Sequence, residues 1–344
     1  VYKRQPLDHG DIVQLAHGGG GTLTSRLIDR LFVPAFRSPH LDPLGDGAVL
    51  TVGGTRLAFT TDSFVVKPVF FPGGDIGSLS VHGTVNDLAM GGAQPLYLTA
   101  GFILEEGFPL KDLARIVDAM AEAAREAGVL IVTGDTKVVE RGKGDGVFIN
   151  TAGVGRVLDG VTVSGDLAQV GDKVLVSGTI GDHGVAIMSQ RKGLQFATAL
   201  QSDSASLNAL VAHMADAAGG GLRVLRDPTR GGLAATLNEI AAQSSVGVRL
   251  LESALPVRSE VRGACELLGL DPLNVANEGK LIAIVAADQA QQILAAMQRD
   301  PNGTAAAIIG EVIEDPMHLV RMVTAIGGER VIDWLHGEQL PRIC

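Results

Sequence analysis

The chain ends Pro341-Arg342-Ile343-Cys344. A thiol at the end of a short tail can be carried like a swinging arm from one active site to another. Cys265 is the only other cysteine, so no disulfide framework is on offer. Cys344 is therefore either an accident of termination or the working atom of the protein. Cys265, among Ala264, Leu267 and Leu268, reads as a small buried apolar residue.

A second set of reactive groups is carboxylates beside small residues. They are Asp46 in Gly45-Asp46-Gly47-Ala48, Asp62 in Thr61-Asp62-Ser63, Asp87 in Val85-Asn86-Asp87-Leu88, Asp135 in Gly134-Asp135-Thr136-Lys137, and Asp227. An Asp after a strand and next to Gly points a hard carboxylate into open space, and Mg2+ takes a few such oxygens together with substrate phosphates and water. Taken singly, each also reads as a turn or cap residue; recurring at strand ends of one fold, they read as a set. Lys137 adds a cation able to pair with a phosphoryl group, or is simply a solvent-exposed lysine. Glu278, in Asn277-Glu278-Gly279-Lys280, offers a base but out of context reads more readily as a surface acid.

Two glycine-rich stretches complete the inventory. Asp227-Pro228-Thr229-Arg230-Gly231-Gly232 opens a helix, whose unpaired amides attract anions, or whose glycine pair merely permits close packing. His17-Gly18-Gly19-Gly20-Gly21 reads as a loop able to close over phosphates, or as a plain linker. His17 and His82 are candidates for polar contacts near these motifs. The histidines and cysteines lack H-x-x-x-H or C-x-x-C spacing, which disfavours a zinc site. The absence of a Walker A loop, of the protein-kinase motif set and of G-x-G-x-x-G after a strand excludes P-loop kinases, protein kinases and a dinucleotide-binding domain.

The elements that must position these groups alternate strand and helix. Strands are expected at Ala48–Val52, Arg56–Val66, Tyr97–Leu104, Val129–Thr133 and Gly146–Val157. Helices are expected at Val81–Met90 and Asp112–Ala127, the latter with Asp112 as N-cap and Gly128 as its stop. A short helical pattern (Leu23, Leu27, Ile28, Leu31) follows the first glycine run. Beyond a linker at Val163–Ala168, strands are expected at Lys173–Ser177, Leu281–Ala286 and Ala305–Ile313. Helices are expected at His183–Arg191, Ala205–Ala218, from Gly232 through Gln243, Glu260–Leu268 and Gln289–Gln298. A hairpin joins His318–Ala325 to Arg330–Leu335 through Gly327-Gly328.

At 344 residues, 46% of them hydrophobic and 19% charged, the chain suits two domains with sizeable cores. Its 45 glycines and 4% aromatics fit an α/β enzyme with many tight connections. A net charge of −10 argues against a nucleic-acid binder but leaves room for Mg2+ and a nucleotide. No apolar run reaches the roughly 18 residues of a membrane span, and no signal peptide is visible, so a cytoplasmic location is expected. Val1-Tyr2-Lys3-Arg4-Gln5 matches the translation of a common sequencing-library adapter and is set aside from fold reasoning; the native start is expected upstream.

Together the chain resembles the HypE family of hydrogenase maturation factors (carbamoyl dehydratases), within the ATP-binding superfamily that includes aminoimidazole ribonucleotide (AIR) synthetase and selenophosphate synthetase. The matching pieces are His17–Gly21, Gly45–Val49, Thr60–Ser63, Thr84–Pro95, Gly134–Val138, Asp227–Leu233 and Pro341–Cys344. The Asp motifs identify only the superfamily; the terminal Pro-Arg-Ile-Cys singles out HypE. The resemblance implies a two-domain PurM-like α/β (α+β) fold, each domain a mixed sheet backed by helices. It divides the chain into a Gly-rich segment 1–39, an ATP-binding and dimerisation domain 40–160, a C-terminal domain 161–336 and a mobile tail 337–344. An extended tail of that length reaches at most about 3.3–3.6 Å per residue.

The activity implied is ATP-dependent dehydration of a carbamoyl group on Cys344 to a thiocyanate, supplying cyanide to the iron of [NiFe]-hydrogenase. Implied catalytic residues are Cys344, Lys137 and Glu278. Implied nucleotide contacts are Asp46, Asp62, Asp87, Asp135, Thr136, Asp227, Gly19 and Gly20, with Asp46, Asp87 and Asp227 holding Mg2+. Implied partners are a second copy in a homodimer, the carbamoyltransferase HypF and a HypC–HypD complex. The chain departs from selenophosphate synthetases, which carry a reactive Cys or Sec near the N-terminal glycine loop; here that loop holds only His17 and glycines. Another synthetase of the superfamily, or an inert carrier that only presents Cys344, are the alternatives.

Overall fold

Apolar runs punctuated by glycine turns build two mixed sheets. The computed structural model describes residues 12–36, 38–41, 43–193, 200–334 and 342–344. The adapter-like residues 1–5 and the tail from 337 to 341 lie outside the described residues.

The first sheet contains β1 (Ala48–Val52), β2 (Thr55–Phe64), β3 (Ala93–Glu105), β4 (Leu130–Val139) and β5 (Val147–Val157), in the order β1-β2-β5-β3-β4. Only β3 and β4 pair in parallel, as expected of strands joined by a crossover helix. That crossover is α2 (Leu110–Ala127), whose Ile116, Met120, Ala123 and Ala127 form one buried stripe and which stops at Gly128 in the left-handed region (φ 71°). Its first turn begins at Leu110 after Pro109, so Asp112 lies inside the helix and is not its N-cap. Helix α1 (Ile76–Met90) is buried along nearly its whole length between α2 and the sheet, its buried Ser80, His82, Thr84 and Asn86 each hydrogen-bonded. It starts at Ile76, before the expected Val81, because the Asp75 carboxylate caps it by accepting from the Gly77 and Ser78 amides. A Cβ on Gly77 would stand 2.2 Å from the Ile116 carbonyl oxygen. Gly77→Ala is therefore expected to destabilise the protein by about 1–3 kcal/mol, read as a lower urea midpoint at unchanged m-value.

The second sheet contains β6 (Lys173–Val176), β7 (Leu222–Arg226), β8 (Gly247–Leu251), β9 (Ile282–Val285), β10 (Ala307–Ile313), β11 (Val320–Val323) and β12 (Glu329–Ile332), in the order β12-β11-β8-β10-β6-β9-β7. Its helices are α3 (Asp182–Lys192), α4 (Asn208–Ala218), α5 (Gly232–Ser244), α6 (Ser259–Leu268) and α7 (Ala290–Met297). The strand period of two divides the core. Val174 and Val176 pack with Leu233, Leu237 and Ile240 of α5, whereas Leu175 packs with Leu210, Val211 and Met214 of α4.

The glycine-linked hairpin appears as β11 and β12, and residues 163–168 have no helix or strand. Strands β7 and β8 are additions to the sequence reading. Each carries arginines that mask its apolar pattern, and each arginine has an acidic partner: Arg223 with Asp172, Arg226 with Asp46 and Glu239, Arg249 with Glu311. Helix α4 begins at Asn208, not Ala205, because the Asn86 carboxamide of α1 captures the chain before it, accepting from Leu207 N at 2.8 Å and donating to Ala205 O at 3.0 Å. The same Asn86 donates to Glu278 O at 3.3 Å, so one buried side chain ties the central helix of the first sheet to the second.

Candidate active site

Four carboxylates converge where the two sheets meet. Thr60 and Asp62 stand on β2, Asp87 near the end of α1, Asp46 just before β1, and Asp227 just after β7. The Thr60 hydroxyl lies 2.8 Å from both Asp87 Oδ2 and the Asp46 carbonyl oxygen. Arg226 pairs with Asp46 at 2.9 Å and with Glu239 at 2.7 Å. Burial, and then the charges of Asp227, Asp62 and Asp46, hold Asp87 well above the usual carboxylate range. Asp227 is likewise raised by burial first and by Asp46 and Asp62. Asp46 and Asp62 are raised by burial, which Arg226 and Arg230 respectively oppose.

This donor set fits a divalent cation. Asp46 Oδ2 is buried without a hydrogen-bond partner, and mutual repulsion among acids is what a cation relieves. Among the described residues no three such ligands close on one point. That suits Mg2+, which takes one or two carboxylates and completes its shell with phosphate oxygens and water. A cavity of about 680 Å3 opens beside the group, lined among others by Ser25, Gly45, Gly47, Thr60, Arg230 and Trp334. This volume lies within the range of small-molecule sites.

The glycine run reaches the same place. Arg230 donates to Gly18 O at 3.1 Å. Gly20 adopts φ 76°, and a Cβ there would come within 2.9 Å of Arg230, so both its conformation and its neighbour require glycine. Gly19 is the residue between these two contacts. His17 accepts from Gln14 N, and His82 shares a hydrogen bond with Ser204 Oγ at 3.0 Å. Burial pulls the His82 imidazole down to about 4.

Into this group comes the chain terminus. Arg342–Cys344 lies antiparallel beside Val65–Lys67: Val65 N–H donates to Cys344 O at 3.1 Å, and Lys67 N–H to Arg342 O at 3.2 Å. Ile343 is buried in the first core, Arg342 pairs with Asp145, and Arg191 donates to the Arg342 carbonyl. Cys344 is half-buried, and burial raises its thiol far above the ordinary value. Arg230 opposes that rise, while the nearby carboxyls of Glu278 and Asp62 add to it.

Glu278 is only 3% exposed, which corrects its reading as a surface acid. Its Oε1 is buried without a hydrogen-bond partner. Burial, then Asp227, Asp62 and Asp203, push its carboxyl well above the usual range. Gly279 makes this burial possible: a Cβ there would stand 1.8 Å from the Asp203 carbonyl oxygen.

Asp135, Thr136 and Lys137 are not brought to this group within one chain. Register runs from Ser63 through Asn150 and Gly101 to Asp135, three strands away, roughly 14 Å at ordinary strand spacing. Cross-strand partners share a face, so Asp135 projects on the side opposite Asp62. Lys137 is 69% exposed and pairs with Asp135 at 2.6 Å. Around them the same face exposes Phe59, Tyr97 and Ile103, and β4 leaves Leu130, Val132 and Val138 exposed along the sheet edge.

One candidate position at the site escaped the sequence reading. Arg230 stands within a recognised motif but had no role there; the motif's place at the opening of α5 was the available signal. Cys265 is buried at 1% exposure, as expected.

Family models for the AIR synthase related protein match the chain, the N-terminal domain over residues 44–157 and the C-terminal domain over 169–322. The chain is similar to the "Carbamoyl dehydratase HypE" of Cupriavidus necator, at 62% identity over 96% of this chain and 95% of that protein. It superposes on the crystal structure of a HypE–HypF complex with a TM-score of 0.86 and 51% identity, covering 90% of this chain and 99% of that one. It also superposes on a hydrogenase maturation protein HypE in complex with ATP, with a TM-score of 0.81 and 53% identity, covering 97% and 100%.

Proposed function

The chain belongs to the HypE family of carbamoyl dehydratases, and from that premise we propose that it converts a carbamoyl group carried on Cys344 into a thiocyanate at the expense of ATP. The observation that carries this reading is the chain terminus docked along Val65–Lys67, which brings the Cys344 thiol near the buried Glu278 and the acidic cluster at a nucleotide-sized cavity. The relative solved with ATP supports the nucleotide, and the relative solved with HypF supports that carbamoyltransferase as the donor.

Cys344 first receives its carbamoyl group from HypF. A buried thiol beside an acid stays protonated and is a poor nucleophile, so loading takes place with the tail withdrawn. Once docked, the carbamoyl oxygen attacks the γ-phosphorus of ATP, ADP leaves, and one N–H proton is lost. The carbamoyl oxygen is then a phosphate ester. Loss of the second N–H proton and departure of phosphate with the C–O bonding pair leave S–C≡N on Cys344. An amide oxygen is a poor leaving group and phosphate a good one, which is the reason for ATP. Glu278, near the sulfur, is placed to take the N–H proton, and its raised affinity for protons matches that task. Arg230 is placed to stabilise negative charge developing next to the sulfur.

Mg2+ would draw one or two carboxylate ligands from among Asp46, Asp87 and Asp227, and when bound would offset charge on the transferred phosphoryl group; Asp62, Gly19 and Gly20 complete the nucleotide contacts. Residues 40–160 form the ATP-binding and dimerisation domain and 161–336 the C-terminal domain. A homodimer through the exposed apolar face would bring Asp135, Thr136 and Lys137 to the partner protomer. The cyanide is passed to iron on HypC–HypD, in the cytoplasm, while the sulfur stays on Cys344. Among the described residues no helix is long and apolar enough to cross a membrane. The test is ADP release in single turnover: it should require a carbamoylated Cys344, and equal ATP consumption by unloaded protein would overturn the reading.

A further inference from the structure

We propose that His183 is a positioning residue that clasps the docked tail at the Ile343 carbonyl and relays that docking, through Ser202 and Asp203, to Glu278. His183 is fully buried in the first turn of α3. Its Nε2 lies 2.8 Å from Ile343 O and its Nδ1 2.7 Å from Ser202 Oγ. A carbonyl oxygen only accepts, so Nε2 carries the proton, and Nδ1 accepts from the Ser202 hydroxyl. Ser202 Oγ in turn accepts from Ser204 N at 3.0 Å. The imidazole meets Phe71 edge-on, with centroids 5.6 Å apart at 88°, which fixes the ring plane.

The next residue continues the path. Asp203 Oδ1 accepts from Glu278 N at 3.0 Å, and Lys280 lies 3.4 Å from Asp203 Oδ2. Ser202 N is itself anchored to Pro72 O at 2.7 Å. The penultimate carbonyl of the tail and the backbone of the base are thus joined by one unbroken set of contacts along Ser202–Asp203. The clasp reads a backbone carbonyl, so it works the same whether the sulfur is free, carbamoylated or cyanated. Withdrawing the tail leaves the Nε2–H buried without a partner, and that penalty favours the docked position.

The consequence for turnover rests on the dehydratase reading, but docking itself is read without it. The experiment is iodoacetamide alkylation of Cys344 in unloaded protein, followed by the mass of the C-terminal peptide, in wild type, His183→Leu, His183→Gln and Ser202→Ala. His183→Leu should raise the alkylation rate roughly tenfold, the ratio worth one net hydrogen bond. His183→Gln, which keeps an N–H donor, should stay within about twofold of wild type, and Ser202→Ala should fall between. ATP affinity should be the same in all four. In loaded protein, the single-turnover rate should fall in His183→Leu and recover in His183→Gln. Wild-type alkylation in a folded His183→Leu, or a glutamine variant as defective as leucine, overturns the proposal. Should His183→Leu fail to fold, wild-type alkylation in Ser202→Ala overturns it. Absence of any dehydration in wild type would sink the dehydratase reading while leaving the alkylation result standing.

Discussion

Glu278→Gln is expected to slow thiocyanate formation by about 10²–10⁴-fold, the contribution typical of a positioned base. Glutamine keeps the size and the backbone contacts of Glu278 but cannot take the N–H proton. ATP binding and carbamoyl loading of Cys344 should therefore change little, which separates this effect from collapse of the site. The wild-type rate should rise with pH through an apparent pKa above the usual carboxylate range, since burial and neighbouring acids raise Glu278. The glutamine variant should lose that limb of the profile. Stability should move the other way. A carboxyl whose folded pKa is raised contributes stability below its unfolded value and loses it as pH climbs toward the folded value. Glu278→Gln should thus melt higher than wild type at neutral pH and lose that advantage in acid, below the usual carboxylate range. A variant that retains wild-type turnover would remove Glu278 from the chemistry.

Asp87→Asn is expected to lower ATP-dependent turnover by about 10²–10³-fold, the scale of removing one preorganised electrostatic contact. The residue is nearly isosteric, and its side-chain oxygen still accepts from Thr60. What it removes is one negative charge among Asp46, Asp62 and Asp227. Calorimetric titration should show weakened Mg-ATP binding. Melting without nucleotide or divalent cation should show the opposite trend at neutral pH, where a carboxyl raised by burial and by those three acids costs stability that asparagine does not. Unchanged Mg-ATP affinity in Asp87→Asn would take Asp87 out of the nucleotide site.

The Asp motifs and the terminal cysteine were legible because each is a reactive type in a recognisable setting: carboxylates in short motifs of the family pattern, and a lone thiol at the end of the sequence. That Asp46, Asp62, Asp87 and Asp227 meet was also legible, from the family pattern rather than from spacing. Glu278 was not legible as a buried base, because its burial depends on the backbone of Gly279 meeting Asp203, a contact made by distant chain. Asp135 and Lys137 share the family motif yet face away from Asp62, since strand alternation and a three-strand separation decide where they point. His183 is a solitary histidine at the start of a helix, and nothing local marks it; only the returning terminus gives it a partner. Strands β7 and β8 hid behind arginines whose partners come from distant parts of the chain.

The tail is held by terms of similar size. Burying Ile343 contributes about 1.5–3 kcal/mol and its hydrogen bonds about 1 kcal/mol each, while ordering each residue costs about 1–2 kcal/mol. Under the proposed function, such a near balance suits a segment that docks for chemistry and leaves for loading and delivery.

The most direct measurement loads Cys344 using the HypF carbamoyltransferase and carbamoyl phosphate, separates the two proteins, adds Mg-ATP and weighs the C-terminal peptide. The account predicts a carbamoylated peptide that loses the mass of one water as ADP and phosphate appear in equal amounts. A peptide that stays carbamoylated while ATP is consumed, or a Cys344 that never acquires the group, would contradict it.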